Sequence, residues 1–399
     1  MRIPALLLIV LVGLVPIAIF ASLVIVPPNV KWQPPAVWQT GTPGIAAISL
    51  SSTRLYAIGG SQLMQYDLDG GQVWNRTLGN TNNVTISGIS VGTDGIYVFG
   101  VNNTGLGSQK IWVFAEKHDV NGNKIWKTKF ANITGPSGSA SDSGLYVAGF
   151  ASDNGLFPSD NGQPIRLLMS RYDANGGIVR TKNLANETSW DPEGSVLVYA
   201  DPNGFYLAGS GLASISRYDT GGNSVWNRRL DNPGFGCGCQ AYALSGDKTG
   251  IYLGGRDSLS PNNSFLRRYD LNGNILWTGK PDSAIARISA NGPSVYSMEN
   301  GLARYDSSNG NRLWIFPAYG SAIAAGESGV YLAESNGLLV SYSDSASLVL
   351  FGVNPPYSFV VVSTSVGVPV LMILLKKRSL NKRAQRIPAV RNDPKQTRN

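Results

Sequence analysis

A stretch at residues 268–277, RYDLNGNILW, recurs with small changes along most of the chain, and recurrence of that kind leaves few folds open. Arg268, Tyr269 and Asp270 read as the end of one strand. Asn272 and Gly273 read as the positive-φ residues of a tight turn, and Ile275 to Trp277 as the start of the returning strand. Related copies place Tyr66 and Asp67 before Trp74, His118 and Asp119 before Trp126, Tyr172 and Asp173 before Val179, Tyr218 and Asp219 before Trp226, and Tyr305 and Asp306 before Trp314. A degraded seventh copy lies at Tyr342.

A second marker precedes each copy: a short strand with a central tyrosine. It reads LYAIGG from Leu55, IYVFG from Ile96, LYVAG from Leu145, FYLAG from Phe205, IYLGG from Ile251, VYSM from Val295 and VYLA from Val330. Each marker follows another apolar strand and a turn of Gly, Asp or Asn. One unit is therefore strand a, turn, strand b, connection, strand c, turn and strand d, repeating about every 35 to 60 residues, the pattern of a propeller blade. The expectation is an all-β, seven-bladed β-propeller of four-stranded blades over residues 37–351.

A propeller has to close, because an open end leaves strand edges unpaired. The segment at Val37 and Trp38 resembles a d strand and is the favoured fourth strand of blade 7. The competing strand is 348–351, Leu348 to Phe351. Either way the two ends of the propeller meet.

The flanks carry a different message. Residues 5–26 are apolar after Arg2, which suits either a retained transmembrane anchor or a cleaved signal peptide, so 1–26 is set apart as one or the other. Residues 27–36 form a proline-rich linker. After a second linker at 352–356, residues 357–375 (YSFVVVSTSVGVPVLMILL) are long and apolar enough for a transmembrane helix. The tail 376–399 holds nine Lys and Arg against Asp393, so it accounts for the whole net charge of +8. The remaining chain is close to neutral, and phosphate-backbone binding by it, hence nucleic acid as a partner, is excluded. Positive charge after the second span puts the tail in the cytoplasm and the propeller on the extracellular side of the cell membrane.

Cys237 and Cys239 flank Gly238, and in an exported chain they either close a small disulfide or remain thiols. Acceptor sequons for glycosylation stand at Asn75, Asn83, Asn102, Asn132, Asn186 and Asn262, with Asn75 alone expected on a strand.

The recurrent Tyr-Asp, glycine turn and Trp resemble the pyrroloquinoline-quinone-like β-propeller repeat, over about residues 37–351. That repeat occurs in quinoprotein dehydrogenases and in scaffold propellers, so the resemblance implies fold more than function. The quinoprotein branch implies eight blades, adjacent cysteines that stack on a cofactor, and a calcium site. Here seven blades are counted, Gly238 separates the cysteines and no calcium constellation is evident, so the non-enzymatic scaffold or binding branch is expected, with no cofactor.

The residues themselves agree. The turn aspartates read as acceptors for amides two residues on, because the D-x-N-G-N spacing lacks the ligands and the glycine position of a calcium loop. The tryptophans recur at one blade position and read as packing between blades. Arg180 takes that position in blade 3, whose outer edge is expected to be looser. His118 is the only histidine, so a catalytic set around it cannot be assembled, and neither catalytic nor metal-binding residues are assigned.

Function is therefore sought where the copies differ. The a to b and c to d turns are short throughout, while the b to c and d to a connections vary and lie on the opposite face. That loop face carries Phe157, Trp190, Asp191, Glu193, Phe235, Arg256 and Asp257 as candidate binding residues. The expectation is a membrane-anchored extracellular binding or scaffold module for a cell-envelope protein or glycan. The alternatives are an exported quinoprotein-like enzyme and a structural envelope subunit.

Overall fold

The computed structural model describes residues 36–41, 44–78, 84–103, 111–130, 133–152, 165–184, 195–210, 214–230, 240–256, 263–327 and 329–343. They lie within the compact unit Pro34–Asp344. The apolar runs, both linkers up to residue 35 and from 352, and the basic tail lie outside the described residues. Among the described residues no helix is long and apolar enough to cross a membrane.

Seven antiparallel four-stranded sheets follow one another along the chain. In the order a to d, blade 1 is Ile45–Leu50, Arg54–Gly59, Gln62–Asp67 and Gln72–Thr77. Blade 2 is Val84–Gly92, Gly95–Asn103, Ile111–His118 and Lys124–Phe130. Blade 3 is Ile133–Ser141, Gly144–Ser152, Ile165–Tyr172 and Ile178–Asn183. Blade 4 is Val196–Asp201, Gly204–Gly209, Ser214–Asp219 and Ser224–Arg229. Blade 5 is Gln240–Asp247, Gly250–Arg256, Ser264–Tyr269 and Ile275–Gly279. Blade 6 is Arg287–Asn291, Ser294–Met298, Leu302–Asp306 and Arg312–Phe316. Blade 7 is Gly320–Ala325, Gly329–Glu334, Leu338–Ser343 and, from the other end of the propeller, Ala36–Gly41. The expected seven-bladed propeller of four-stranded blades is the fold observed.

Each a strand packs beside the next, from blade 1 round to blade 7 and back to blade 1, so the a strands form the innermost ring. Burial follows from that placement. The b strands are covered by neighbouring strands in the sheet and by neighbouring blades on both faces. Gly204–Gly209 and Ser294–Met298 are buried at every position, the second with Ser294 and Ser297 among its buried residues. The outermost d strands are largely exposed, Ile178–Asn183 at five positions of six.

The core is accordingly a set of layers between blades. One layer joins Tyr206, Ile215 and Trp226 of blade 4 to Ile251, Leu253 and Phe265 of blade 5. Another joins Leu55 and Met64 of blade 1 to Ala322, Tyr331 and Leu339 of blade 7. Closure is made by the segment containing Trp38: Gln39 stands opposite Val340 and Trp38 opposite Ser341.

One irregularity recurs in all seven sheets. The c to d register slips so that Ile275 faces Tyr269 and Trp277 faces Arg268, with Leu276 between them as a β-bulge. The same slip occurs between the c and d strands of every other blade. The bulged residues Val73, Ile125, Val179, Val225, Leu276 and Leu313 are 49–54% exposed, and the bulge sets the orientation of the residue that follows.

Candidate functional site

The two faces of the propeller are built differently, and the turn face comes first because it removes most of the recurrent residues from functional consideration. In blade 5 Asp270 Oδ1 accepts the backbone N–H of Asn272 at 2.9 Å and of Asn274 at 2.8 Å. Asp119 and Asp173 accept the equivalent pairs in blades 2 and 3. The aspartates hold the turns, as their spacing predicts. Among the described residues no group of three or more His, Cys, Asp or Glu is placed to hold a metal ion.

At four junctions, blades 1 to 2, 2 to 3, 4 to 5 and 5 to 6, the turn of one blade docks on the tryptophan of the blade before it. Gly273 has φ +80°, and a Cβ there would come within 2.8 Å of the Trp226 ring, so glycine is needed for both conformation and contact. Trp226 Nε1 donates to Leu271 O at 3.0 Å, and Arg217 Nη1 donates to the same oxygen at 2.8 Å. The arrangement repeats with Trp126 and Lys117 on Ala174 O, with Trp277 and Arg268 on Ser307 O, and with Trp74 and Gln65 on Val120 O. The cation also lies over the b-strand tyrosine, as Arg217 does over Tyr206 at 5.4 Å. The role of this residue, two before the turn aspartate, went unrecognised from sequence, although its signal was the residue before each Tyr-Asp pair.

Two junctions depart from the pattern. At the blade 3 to blade 4 junction Arg180 Nη1 donates to Gly221 O at 2.9 Å, Arg171 Nη1 to Thr220 O at 3.2 Å and Lys182 Nζ to Gly222 O at 2.5 Å. Hydrogen bonds replace the ring, and Arg180 is exposed. At the blade 6 to blade 7 junction Trp314 is 5% exposed and its Nε1 is without a partner among the described residues. The fourth strand of blade 7 arrives from the other end of the propeller, so among the described residues that blade has no c to d turn to offer a carbonyl.

The inner ring has its own coupling. Ser49 Oγ accepts the N–H of Val91, Ser90 Oγ that of Ala140, Ser139 Oγ that of Ala200, Ser245 Oγ that of Ala290 and Ser289 Oγ that of Ala325, at 2.8–3.2 Å. An a strand is an edge strand, and its unpaired N–H groups need acceptors. The serine of the preceding blade supplies one. In blade 4 the position is Tyr199, whose ring fits over Gly246.

Blade 2 carries a buried polar group in place of the usual Arg-Tyr-Asp. Glu116 is 2% exposed; Oε1 pairs with Lys127 Nζ at 2.5 Å, and Oε2 with His118 Nε2 at 3.3 Å. Burial disfavours ionisation of Glu116, but the hydrogen bonds from His118 and Lys127 outweigh it and hold the carboxyl below its ordinary range. The turn carboxyls of Asp119 and Asp270 are lowered chiefly by the side chains of Asn123 and Asn274, that of Asp219 by the backbone of Asn223, and that of Asp306 by Ser308. Groups with depressed folded-state pKa values stabilise above their unfolded values, and that stability is lost as pH falls through the folded ones. The thermal unfolding midpoint is therefore expected to be flat near neutrality and to drop below about pH 4. Calorimetry across pH 2 to about 7 checks it, and Glu116→Gln should remove part of the acid dependence.

On the opposite face the described residues are fewer. Of the sequence candidates, Phe157, Trp190, Asp191, Glu193, Phe235 and Asp257 lie outside the described residues, as do Cys237, Cys239 and the sequons Asn83, Asn132, Asn186 and Asn262. Arg256 ends the b strand of blade 5 on this face. Asn75 is exposed on the d strand of blade 1. Asn102, expected on a connection, sits instead in the b strand of blade 2 opposite Val84. The reason is strand length: the b strands of blades 2 and 3 have nine residues, against five to seven elsewhere. Their a to b turns stay aligned with the others, so the extra residues extend the loop-face end by roughly 10 Å.

Arg256 belongs to a cluster that sequence reasoning missed. Gln240 stands opposite it on the innermost strand. Gln240 Oε1 accepts Arg256 Nη2 at 2.7 Å and also the hydroxyl of Tyr242, and the guanidinium lies over the Tyr242 ring at 5.6 Å. Neither Gln240 nor Tyr242 belongs to a recurrent motif, which is why neither stood out.

No family model and no curated protein matches this chain. Among solved structures it is similar to a chain of the Mitotic Checkpoint Complex, with TM-score 0.56 and 12% identity, over 79% of this chain and 94% of that one. It is also similar to the Pan2 WD40 domain of Neurospora crassa, with TM-score 0.54 and 10% identity, over 83% and 98%. BamB from Moraxella catarrhalis aligns with TM-score 0.49 and 12% identity over 80% and 90%. The likeness is one of fold. At these identities it does not extend to a family or an activity, and the resemblance to the pyrroloquinoline-quinone-like repeat stands on the repeat residues alone.

Proposed function

We propose that this chain is a membrane-anchored propeller whose loop face binds a protein or glycan of the cell envelope from the extracellular side. The observation that carries the proposal is the division of labour between faces. On the turn face the recurrent Asp, Arg and Trp are used in holding turns and joining blades, which leaves the unlike connections of the loop face for recognition. The strands that begin and end the propeller, at Ala36 and Ser343, have those ends on the turn face. Propellers in general serve as rigid supports for binding loops, which suits this reading without selecting a ligand.

Crosslinking of intact cells tests it. A stable partner or glycan should be recovered with the wild-type chain and lost on changing Trp190 and Phe157 to alanine, with the thermal midpoint unchanged. Recovery unaffected by both substitutions would count against the loop face. Protease added to the same cells should remove the propeller and spare the tail; cleavage of the tail alone would reverse the orientation.

A further inference from the structure

The pair Asn300 and Gly301, in the bend that joins strands b and c of blade 6, is placed for a covalent change of its own, and we infer that Asn300 is the site at which this chain converts to aspartate and isoaspartate. In an Asn-Gly sequence the glycine backbone nitrogen can attack the asparagine Cγ. The N–Cγ bond forms as the Cγ–Nδ2 bond breaks, and ammonia leaves with the proton of the glycine N–H. Solvent water then opens the cyclic imide: at Cγ it gives aspartate, at the backbone carbonyl isoaspartate. The folded protein decides the rate, because the glycine N–H has to be free to lose its proton and the carboxamide free to meet the nitrogen.

Most of the described Asn-Gly pairs fail that requirement. Asn121, Asn175, Asn272 and Asn309 stand in c to d turns, where the N–H of Gly122, Gly176, Gly273 and Gly310 donates to the turn aspartate carbonyl at 2.9–3.1 Å. Gly337, after Asn336, donates to Glu334 O at 3.1 Å, and the Asn336 side chain is bonded to Leu338 N and Glu334. Gly204, after Asn203, is held in the strand ladder opposite Asp201. Asn291 ends a strand opposite Ser294, which keeps it extended. Pairing of this kind ties down the amide that would have to attack. The pairs at Asn154 and Asn161 lie outside the described residues.

Asn300 differs on each count. It falls between Met298 and Leu302, the last ladder pair of strands b and c, so neither strand holds it. It is exposed, and its carboxamide makes no hydrogen bond among the described residues. In the same bend Glu299 N donates to Gly301 O at 2.9 Å, while the Gly301 N–H has no acceptor among the described residues. The carbonyl of Asn300 belongs to the same peptide group as that nitrogen, and the Tyr319 hydroxyl donates to it at 3.2 Å. A donor on the oxygen draws electron density from the nitrogen and makes its proton easier to lose. The fold also requires glycine at 301: φ is +143°, and a Cβ would stand 2.3 Å from Phe316 O. The product places a carboxylate next to Glu299, whose side chain is 0% exposed and already accepts Asp282 N and the Tyr305 hydroxyl at 2.7 Å each.

The test incubates the full-length protein in detergent micelles at mildly alkaline pH and follows each Asn-Gly peptide by mass mapping and by enzymatic methylation of isoaspartate. The peptide carrying Asn300 should react first, ahead of those carrying Asn272 and Asn291, and the order should vanish in denaturant, where every Asn-Gly pair is equally free. Tyr319→Phe should slow the reaction at Asn300 by about threefold or more. Its thermal midpoint should not move, since Tyr319 is 55% exposed. Asn300→Gln should remove the early product and leave the other peptides unchanged. Faster reaction at another described Asn-Gly pair, the same order of rates in denaturant, or an undiminished rate in Tyr319→Phe would each overturn the assignment.

Discussion

Deleting residues 36–41 is expected to abolish cooperative folding of the propeller. That segment is the fourth strand of blade 7, paired from Ala36 opposite Tyr342 to Gly41 opposite Leu338. Without it the strand Leu338–Ser343 becomes an open edge, and blades 7 and 1 are held together only by the packing of their inner strands and the core layer between them. The loss should consume most of the roughly 5–15 kcal/mol by which a domain is held folded. Denaturant titration of the truncated chain is expected to show a broad transition at much lower midpoint, with aggregation through the exposed edge. A peptide of residues 36–41 added in trans should restore part of the midpoint. An unchanged midpoint after truncation would show that another strand closes the ring.

The second large effect is expected from Trp226→Ala. Trp226 is 9% exposed, packs against Tyr206 at 5.9 Å between ring centres and covers the turn glycine of the next blade. Its removal should cost about 3–5 kcal/mol, because the cavity sits between two rigid blades and closes poorly. Arg180→Ala, at the equivalent position of blade 3, should cost less than about 1 kcal/mol, since Arg180 is exposed and its hydrogen bond is replaceable by water. Gly273→Ala provides the control for the contact itself. In the wild-type background its Cβ meets the Trp226 ring, whereas in the Trp226→Ala background only the cost of φ +80° remains, roughly 1 kcal/mol or more. The two substitutions should therefore couple in a double-mutant cycle. Equal costs for Trp226→Ala and Arg180→Ala would refute the docking of turn on ring.

Much of the turn face was legible because its chemistry is local. Asp270 bonds amides two and four residues on, so the spacing carries the whole interaction. The tryptophan series was legible as packing by recurrence alone, since residues serving one structural role repeat with the blade. The partner of each tryptophan was not: Trp226 meets Leu271, in the next blade, and nothing local to Trp226 names it. The same holds for the serine ring, where Ser245 and Ala290 are joined only because the inner strands of blades 5 and 6 lie side by side.

The candidate site divides in the same way. Arg256 was found because it borders a variable connection, but its environment was not, as Gln240 is sixteen residues away and meets it only through strand pairing. Asn102 was misplaced because strand length is set by how far pairing continues, and the a and b strands of blade 2 pair two positions further than those of blade 1 before the connection begins.

Sequence alone determined the blade, its strand order, the number of copies and the structural use of the turn aspartates, because each follows from periodicity and from contacts within a hairpin. Tertiary structure alone decided which donor meets which carbonyl between blades and left Trp314 without one among the described residues. It also brought Arg256, Gln240 and Tyr242 together. Those facts depend on how sheets stack around a closed ring, and stacking joins residues whose separation in the chain carries no signal.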